Sequence, residues 1–237
     1  MEFDENQKLR YARNMILPEI GKAGQEKLLA AKVLIIGAGG LGSPVALYLA
    51  AAGVGKIGIV DDDKIQISNL QRQILYDTYY LNRPKVEIAK EKLEELNSDV
   101  KVEGFDLRLD ERNASQIIDK YDIIADCTDN FDTRFLVNDV CMELGRTLVS
   151  AAIAGFEGQL YTFKKGKCNY RDIYDKPPEG LIPSCSQAGI LGSVCGVMGS
   201  LQATEIIKEL LGIGERLCGN MLVYNALNSS FRKISID

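Results

Sequence analysis

The feature that most constrains this chain is a glycine-rich turn between an apolar strand and a helix of small residues. Residues 33–36 are apolar, Gly-Ala-Gly-Gly-Leu-Gly occupies positions 37–42, and a second apolar strand at 57–60 ends at Asp61. This is the G-x-G-x-x-G fingerprint, with its acidic residue about twenty positions further on, and it predicts a nucleotide-binding β-α-β unit. The predicted ligand contacts are Gly37, Gly39, Gly40, Gly42 and Asp61.

The turn suits an anionic ligand for two physical reasons. Glycines let the backbone approach a phosphate closely, and the N-terminus of the following helix offers free N–H groups with a positive dipole. Asp61 stands where a carboxylate can accept hydrogen bonds from ribose hydroxyls. The fingerprint alone does not distinguish NAD, FAD and ATP.

The segment after Asp61 favours a triphosphate. Dehydrogenases need little positive charge beyond the pyrophosphate turn, whereas here Arg72 and Lys85 follow the fingerprint closely and can converge on phosphate oxygens. The alternative is that both cations are solvated surface residues. The other candidate contacts in this segment are Asp63, Ser68, Asn69 and Gln71.

A third group of polar residues follows another apolar strand. Asp-Cys-Thr-Asp-Asn occupies positions 126–130, and ligands bind at the carboxyl ends of strands in open α/β sheets. Asp129 can hold Mg²⁺ on the phosphates, because Mg²⁺ takes one or two carboxylates together with phosphate oxygens. The alternative is that Thr128, Asp129 or Asn130 caps the helix that begins at Phe131.

Composition removes several classes of function. The 237 residues carry a net charge of −5 and include no histidine, which excludes Ser–His–Asp and Cys–His nucleophiles and histidine-ligated metals. The acidic balance disfavours a broad nucleic-acid surface. No apolar run is long enough for a membrane span and residues 1–10 are polar, so we expect a cytoplasmic protein. The six cysteines form no C-x-x-C pair, and most are expected to be small buried apolar residues.

The order of predicted elements indicates an α/β fold, Rossmann-like and doubly wound, whose mostly parallel sheet has a C-terminal antiparallel strand extension. Helices are predicted at 84–96, 113–120, 131–144 and 189–211, and later strands at 100–105, 122–126, 147–152 and 158–163. A hairpin is predicted at 221–224 and 230–236. We expect one domain over 1–237: a helical arm (1–30), a nucleotide-binding core (31–152), a mobile crossover loop (164–184) that is charged and carries three prolines, and a C-terminal helix and hairpin (185–237).

Several motifs occur together in a characteristic order. They are Arg-Tyr-Ala-Arg-Asn-Met-Ile-Leu at 10–17, the glycine turn, Ser-Asn-Leu-Gln-Arg-Gln-Ile-Leu at 68–75, Arg-Pro-Lys at 83–85, Asp-Cys-Thr-Asp-Asn at 126–130 and Gly-Val-Met-Gly-Ser-Leu-Gln-Ala-Thr-Glu-Ile-Ile-Lys at 196–208. In this combination the chain resembles the ThiF/MoeB/HesA family, the prokaryotic relatives of ubiquitin-activating enzymes. The resemblance covers nearly the whole chain.

The resemblance implies ATP-dependent adenylation of a small ubiquitin-like sulfur-carrier protein that ends in Gly-Gly. Asp61 would then hold the ribose, Arg72 and Lys85 would neutralise phosphate charge, and Asp129 would bind Mg²⁺. It also implies a homodimer, in which Arg13 reaches the active site of the other subunit. Cys185 aligns with a cysteine that links covalently to the carrier in the thiamine branch.

The chain departs from the family at the metal site. Many members bind structural zinc through two C-x-x-C pairs, but here Arg171 stands where the second cysteine of the first pair would be, and no pair follows Arg232. We therefore expect no zinc. The sequence leaves open whether the pathway is that of thiamine, molybdopterin or another thiocarboxylate. It also leaves open a non-catalytic nucleotide-binding relative and, less favoured, a nicotinamide-dependent oxidoreductase.

Overall fold

An eight-stranded sheet forms the centre of the chain in a computed structural model, which describes residues 2–176 and 189–236. The strands are β1 (Lys32–Ile36), β2 (Lys56–Val60), β3 (Lys101–Phe105), β4 (Ile123–Asp126), β5 (Thr147–Ala154), β6 (Glu157–Phe163), β7 (Asn220–Asn225) and β8 (Ser230–Ser235). Their order in the sheet is β3-β2-β1-β4-β5-β6-β7-β8. The first five are mutually parallel and the last three are antiparallel, so the predicted fold class is confirmed.

Helices cover both faces of this sheet. Among the described residues they are α1 (Glu5–Met15), α2 (Gly21–Ala30), α3 (Gly42–Ala52), α4 (Lys85–Leu96), α5 (Ala114–Ile118), α6 (Phe131–Leu144) and α7 (Gly192–Leu211). None of the helices described is both long enough and apolar enough to cross a membrane.

The inner parallel strands are mostly apolar because both of their faces are buried, whereas the edge strand β3 carries Lys101 and Glu103. In β1, Val33 and Ile35 pack into one core with α3, α4 and α7, while Leu34 and Ile36 pack into the other with α5 and α6. Burial on two faces explains the continuous apolar runs that marked these strands in the sequence. Burying each such side chain contributes about 1.5–3 kcal/mol, so the runs also supply much of the stabilisation of the sheet.

The element boundaries agree closely with the predicted ones and differ only at their ends. Helix α6 has the predicted bounds, whereas α7 begins at Gly192 rather than at 189, and α5 is shorter than the predicted 113–120. The helical arm divides into α1 and α2 at Pro18 and at Gly21, whose φ is +56°. End positions depend on caps and the last hydrogen bonds, which hydrophobic periodicity does not record.

The first part of the predicted crossover loop packs against the body of the chain. Cys168 and Tyr170 are buried, and the guanidinium of Arg171 donates two hydrogen bonds to the carboxylate of Asp139, at 2.8 and 2.7 Å. Residues 177–188, with Cys185 among them, lie outside the described residues. The mobility of the whole loop therefore stays a prediction.

The topology places a crevice between the ends of β1 and β4. The chain leaves β1 toward α3 on one face of the sheet and leaves β4 toward α6 on the opposite face. In doubly wound sheets ligands bind at such a switch point, outside the carboxyl ends of the strands.

Candidate nucleotide-binding site

A cavity of about 680 Å³ opens at this switch point. Its lining comes from the glycine turn, the end of β2, the 69–73 segment, the loop before α6, the end of β5 and the first part of the crossover segment. A volume of this size is within the range of small-molecule sites, and it accommodates a ligand of nucleotide size.

The glycine turn has the geometry that its sequence predicted. Gly37 adopts φ +92°, and a Cβ there would lie 2.9 Å from the carbonyl oxygen of Cys127. A Cβ on Gly42 would lie 2.0 Å from the carbonyl oxygen of Gly37, which no side chain can accept. The turn therefore needs glycine for a left-handed backbone at its start and for close packing of α3 at its end.

Asp61 ties the glycine turn to the end of β2. Its Oδ2 accepts a hydrogen bond from the Ala38 N–H at 2.7 Å, and its Oδ1 accepts one from the Asp63 N–H at 2.9 Å. The Tyr76 hydroxyl donates to the Ala38 carbonyl at 3.0 Å, so Ala38 is held on both sides. Burial raises the pKa of Asp61 above its ordinary value, while Lys85 and the two N–H groups oppose that rise.

The two cations singled out in the sequence line the same cavity but differ in how deeply they are buried. Lys85 is only 3% exposed, and its Nζ lies 2.7 Å from Asp63 Oδ2 and 3.5 Å from Asp61 Oδ1. Arg72 is half-buried, and its guanidinium donates to the carbonyl of Ser68 at 3.1 Å. The alternative in which both are solvated surface residues does not describe Lys85.

A second buried acid, Asp126, lies at the end of β4. Its Oδ1 accepts from the Thr128 N–H at 3.0 Å and from the Thr128 hydroxyl at 2.6 Å, while its Oδ2 accepts from the Ser150 hydroxyl at 2.6 Å. The guanidinium of Arg134 on α6 lies 3.8 Å from Asp126 Oδ2 and donates to the carbonyls of Thr128 and Ala151. The network fixes the backbone of the loop that carries Asp129.

Helix α7 reaches the same loop from the opposite face. The amide nitrogen of Gln202, which is fully buried, donates to the carbonyls of Asp126 and Val149 at 2.9 and 3.0 Å. Its amide oxygen accepts from the Cys127 thiol at 3.4 Å, and burial raises the pKa of that thiol well above its ordinary value. One glutamine thus joins α7 to the end of β4 and to the neighbouring strand β5.

The 126–130 loop divides the predicted roles among its residues. Asn130 caps α6, since its side chain accepts from the Thr133 N–H at 2.9 Å. Asp129 is exposed and lines the cavity. The capping alternative is therefore realised by Asn130, and Asp129 borders the space that a ligand would fill.

Most of the predicted contacts come together around this cavity. The predicted residues that line it are Gly37, Gly39, Gly40, Asp61, Asp63, Asn69, Arg72, Lys85, Thr128, Asp129 and Asn130. Gly42, Ser68 and Gln71 do not line it: Gly42 packs against Gly37, and the Gln71 carbonyl abuts the start of α7. Arg13 lies exposed on α1 away from the cavity, and Cys185 lies outside the described residues.

Oxygen ligands for a divalent cation are available at the site. Among the residues that the structure describes, one cluster has three acidic side chains that could bind a metal ion together. It consists of Asp61, Asp62 and Asp63, each of which offers a carboxylate oxygen within 4.8 Å of the other two. Asp129 adds a separate carboxylate on the cavity wall. Hard oxygen donors of this kind suit Mg²⁺ beside phosphate groups.

Comparison with known proteins decides the family. Residues 11–237 match the ThiF family. The chain belongs to the ThiF family. It is 48% identical over 235 residues to the sulfur carrier protein adenylyltransferase of Thermus thermophilus, with 96% of this chain and 86% of that protein covered.

Two further relatives are longer than the matched region. The chain is 46% identical to the probable adenylyltransferase/sulfurtransferase MoeZ of Mycobacterium tuberculosis, of which it spans 59%. It is 49% identical to the probable molybdopterin-synthase adenylyltransferase of Porphyra purpurea, of which it spans 60%. In both cases 96% of this chain is covered.

Solved structures share the fold at lower sequence identity. Escherichia coli MccB in complex with MccA-N7isoASN superposes with a TM-score of 0.85 at 23% identity, covering 97% of this chain and 72% of that one. The structure of the same enzyme with ATP gives a TM-score of 0.82 at 24% identity, covering 96% and 70%. These likenesses establish the ThiF-type Rossmann architecture.

Sequence reasoning missed four residues that support the site, of which Arg134 also lines the cavity. Tyr76, Asp126, Arg134 and Gln202 are all buried and hold the two cavity loops in place. For Asp126, Arg134 and Gln202 the available signal was a charged or amide side chain inside an apolar segment, since such residues are rarely buried without partners. That signal marks burial but does not name the partner.

Proposed function

We propose that this chain uses ATP to adenylate the C-terminal Gly-Gly carboxylate of a small ubiquitin-like sulfur-carrier protein. The observation that carries the proposal is the single cavity that joins the glycine turn to Arg72, Lys85 and Asp129. The 48% identity to a sulfur carrier protein adenylyltransferase supports the same reaction.

The nucleotide would lie with its phosphates against the glycine turn. The N–H groups at the start of α3 would stabilise an anion there, and Arg72 and Lys85 add two positive charges on the cavity wall. Asp61 would receive the ribose hydroxyls, because a carboxylate has about four acceptor sites and the turn uses two of them. Lys85 would then bridge this carboxylate and the phosphates.

The carboxylate of Asp129 is the proposed Mg²⁺ ligand. Its exposure on the cavity wall and its hard oxygen atoms fit that ion. Bound Mg²⁺ would neutralise the charge of the phosphate oxygens and so favour departure of pyrophosphate. Asp126 takes no part as a ligand in this proposal, because Thr128, Ser150 and Arg134 already surround it.

The reaction needs charge stabilisation rather than a base. The carrier carboxylate is already ionised at neutral pH, and its oxygen attacks the α-phosphorus of ATP. A new P–O bond forms, the bond to the β-phosphate oxygen breaks, and pyrophosphate carries away the electron pair. Arg72 and Lys85 stabilise the negative charge on the transferring group, so the absence of histidine is no obstacle.

A second copy of the chain would complete each site. The buried ring of Tyr11 and the bond from Arg10 to the Leu96 carbonyl anchor α1. The other side of the helix presents Arg13 next to exposed apolar residues, which are Leu9, Ile16 and Leu17. An exposed apolar group of this kind marks a protein interface. We therefore propose a homodimer in which Arg13 reaches the partner's nucleotide.

Subunit complementation tests this arrangement. Inactive Arg13→Ala and Asp129→Ala subunits, when mixed, should regain activity, because one of the two sites in a mixed dimer carries both native residues. Lys8→Ala, on the same exposed helix, should stay active alone. A monomer in solution with full activity would contradict the proposal.

Cys185 and zinc are tested separately from adenylation. Cys185→Ala should retain pyrophosphate exchange but lose any covalent adduct with the carrier, since the thiol acts after the acyl-adenylate forms. Loss of exchange in this variant, if it is folded, would assign Cys185 to the adenylation site. Elemental analysis should find no stoichiometric zinc, and one zinc per chain would overturn that expectation.

The primary experiment is exchange of labelled pyrophosphate into ATP. It requires the purified chain, Mg²⁺ and candidate carriers ending in Gly-Gly from thiamine-type and molybdopterin-type pathways, and we expect exchange with one of them. A carrier truncated by its final glycine is the control. Binding of NAD without affinity for ATP would favour an oxidoreductase, and ATP binding without exchange would indicate a non-catalytic relative.

A further inference from the structure

Two cysteines that are far apart in the sequence meet in the C-terminal part of the sheet. Cys168 follows β6 and Cys218 precedes β7, and their sulfur atoms lie 3.3 Å apart across 50 residues of sequence. Cys168 stands where the first cysteine of a C-x-x-C pair was expected, Cys218 belongs to no motif singled out in the sequence, and the site described above uses neither of them. Scattered cysteines in the sequence suggested isolated buried thiols, and this pair departs from that expectation.

Backbone contacts hold both sulfur atoms in place. Cys168 forms an antiparallel bridge with Lys164, and its Sγ accepts a hydrogen bond from the Gly219 N–H at 3.2 Å. The residue before Cys218 is fixed through its N–H, which donates to the buried carboxylate of Glu205 at 2.7 Å. Because the main chain on each side is anchored, the approach of the two thiols is a property of the fold.

We propose that Cys168 and Cys218 form an oxidation site at which the two thiols close to an intramolecular disulfide. A disulfide has an S–S distance of about 2.05 Å, so the two sulfur atoms need to approach by little more than 1 Å. The proposal does not depend on the adenylation activity.

The oxidant required is a small-molecule disulfide. Cys218 is half-buried whereas Cys168 is buried, so the thiolate of Cys218 attacks one sulfur of the reagent and displaces its other half as a thiolate. The thiolate of Cys168 then attacks the Cys218 sulfur of the mixed disulfide and releases the second half. In total two S–H bonds break, one S–S bond forms, and the reagent takes up two electrons and two protons.

The charge environment sets the rate of the first step. Burial and the contact with Cys168 raise the pKa of Cys218 to about 11, and Lys164 and Lys167 oppose that rise. Only a small part of Cys218 is thiolate at neutral pH, so closure should be slow there and should accelerate as the pH rises. The bond, once formed, would tie the crossover segment to the hairpin next to Tyr170, which lines the nucleotide cavity.

The test uses the reduced full-length chain treated with oxidised glutathione at pH 8. Peptide mapping without reductant should recover one linked peptide pair that contains Cys168 and Cys218. The midpoint of thermal unfolding should rise by roughly 5–10 °C, because the bridge closes a long loop in the unfolded chain. Treatment with a dithiol should reverse both changes.

Variants separate this pair from the other thiols. Cys218→Ser and Cys168→Ser should lose the linked peptide and the shift in the midpoint, and Cys218→Ser, at the more exposed position, serves alone if the other does not fold. Cys141→Ala is the control, because Cys141 is buried and should leave the linked pair unchanged. A folded protein whose Cys218 stays reduced, stops at the mixed disulfide with glutathione, or pairs with another cysteine would overturn the proposal.

Discussion

Asp61 directly follows β2 and Asp126 is the last residue of β4, yet the surroundings of these two acids differ. Each accepts a hydrogen bond from a loop N–H and each pairs with a cation from a following helix, Lys85 or Arg134. Asp126 is only 1% exposed and is enclosed by hydroxyl and guanidinium groups, whereas the Asp61–Lys85 pair lines the cavity beside Asp63, which is 70% exposed.

An acid at the end of a strand, paired with a cation from a following helix, therefore has a different role at each of the two places in this fold. Arg134 also lines the cavity, but the Asp126 carboxylate does not line it and is enclosed by Thr128 and Ser150, so we expect this pair to brace the loop that carries Asp129. The Asp61–Lys85 pair borders the cavity, so a nucleotide can exchange contacts with it. We expect damage to the first pair to appear as lost stability and damage to the second to appear as lost activity.

The largest expected change in stability comes from Arg134→Met. This substitution leaves the Asp126 carboxylate buried without its cation, and breaking a buried pair in this way costs about 3–5 kcal/mol of the free energy of unfolding. Urea denaturation followed by circular dichroism measures it. Arg112→Met is the matched control, since Arg112 is 91% exposed and should leave unfolding unchanged. A variant as stable as the wild type would show that the Asp126–Arg134 pair does not stabilise the loop.

Lys85→Met should have the opposite pattern to Arg134→Met, with a large loss of activity and a small loss of stability. Loss of a charge that faces the phosphates should lower pyrophosphate exchange about 10²–10³-fold. The free energy of unfolding should fall by only about 2 kcal/mol, because Asp61 can then take water from the cavity. Lys90 lies on the exposed side of the same helix, so the control Lys90→Met should change neither pyrophosphate exchange nor the free energy of unfolding. A loss of stability equal to that of Arg134→Met, with exchange retained, would erase the distinction between the two pairs.

Tyr76→Phe should have the smallest effect of the three. It removes only the hydrogen bond from the hydroxyl to the Ala38 carbonyl, which contributes about 1 kcal/mol to stability. The KM for ATP should rise by several-fold, since the turn then loses one of its two anchors. An unchanged KM together with unchanged stability would show that Asp61 alone positions the turn.

The two pairs also show which parts of this site the sequence could predict. Asp61 belongs to a local fingerprint with fixed spacing, so its position followed from the chain between residues 32 and 61. Arg134 and Gln202 reach Asp126 and its carbonyl only after α6 and α7 have packed on opposite faces of the sheet. Such a contact depends on tertiary register, and a single sequence records that register only as buried polar residues.

The fold itself was largely predictable for a related reason. The apolar runs of the parallel strands and the periodicity of α6 are local signals, and they placed those elements correctly. The meeting of Cys168 with Cys218 was not predictable, because the two residues are 50 positions apart in the sequence and meet only once β6 has paired with β7.

The most direct measurement of the central claim compares pyrophosphate exchange in Asp129→Ala with that in Asp132→Ala. Both variants lose one exposed carboxylate from the same short segment, but only Asp129 lines the nucleotide cavity. With equal amounts of folded protein and a productive carrier, exchange should fall by about 10³-fold or more in Asp129→Ala and stay at the wild-type rate in Asp132→Ala. Exchange within tenfold of the wild type in both variants would contradict the assignment of this cavity as the adenylation site.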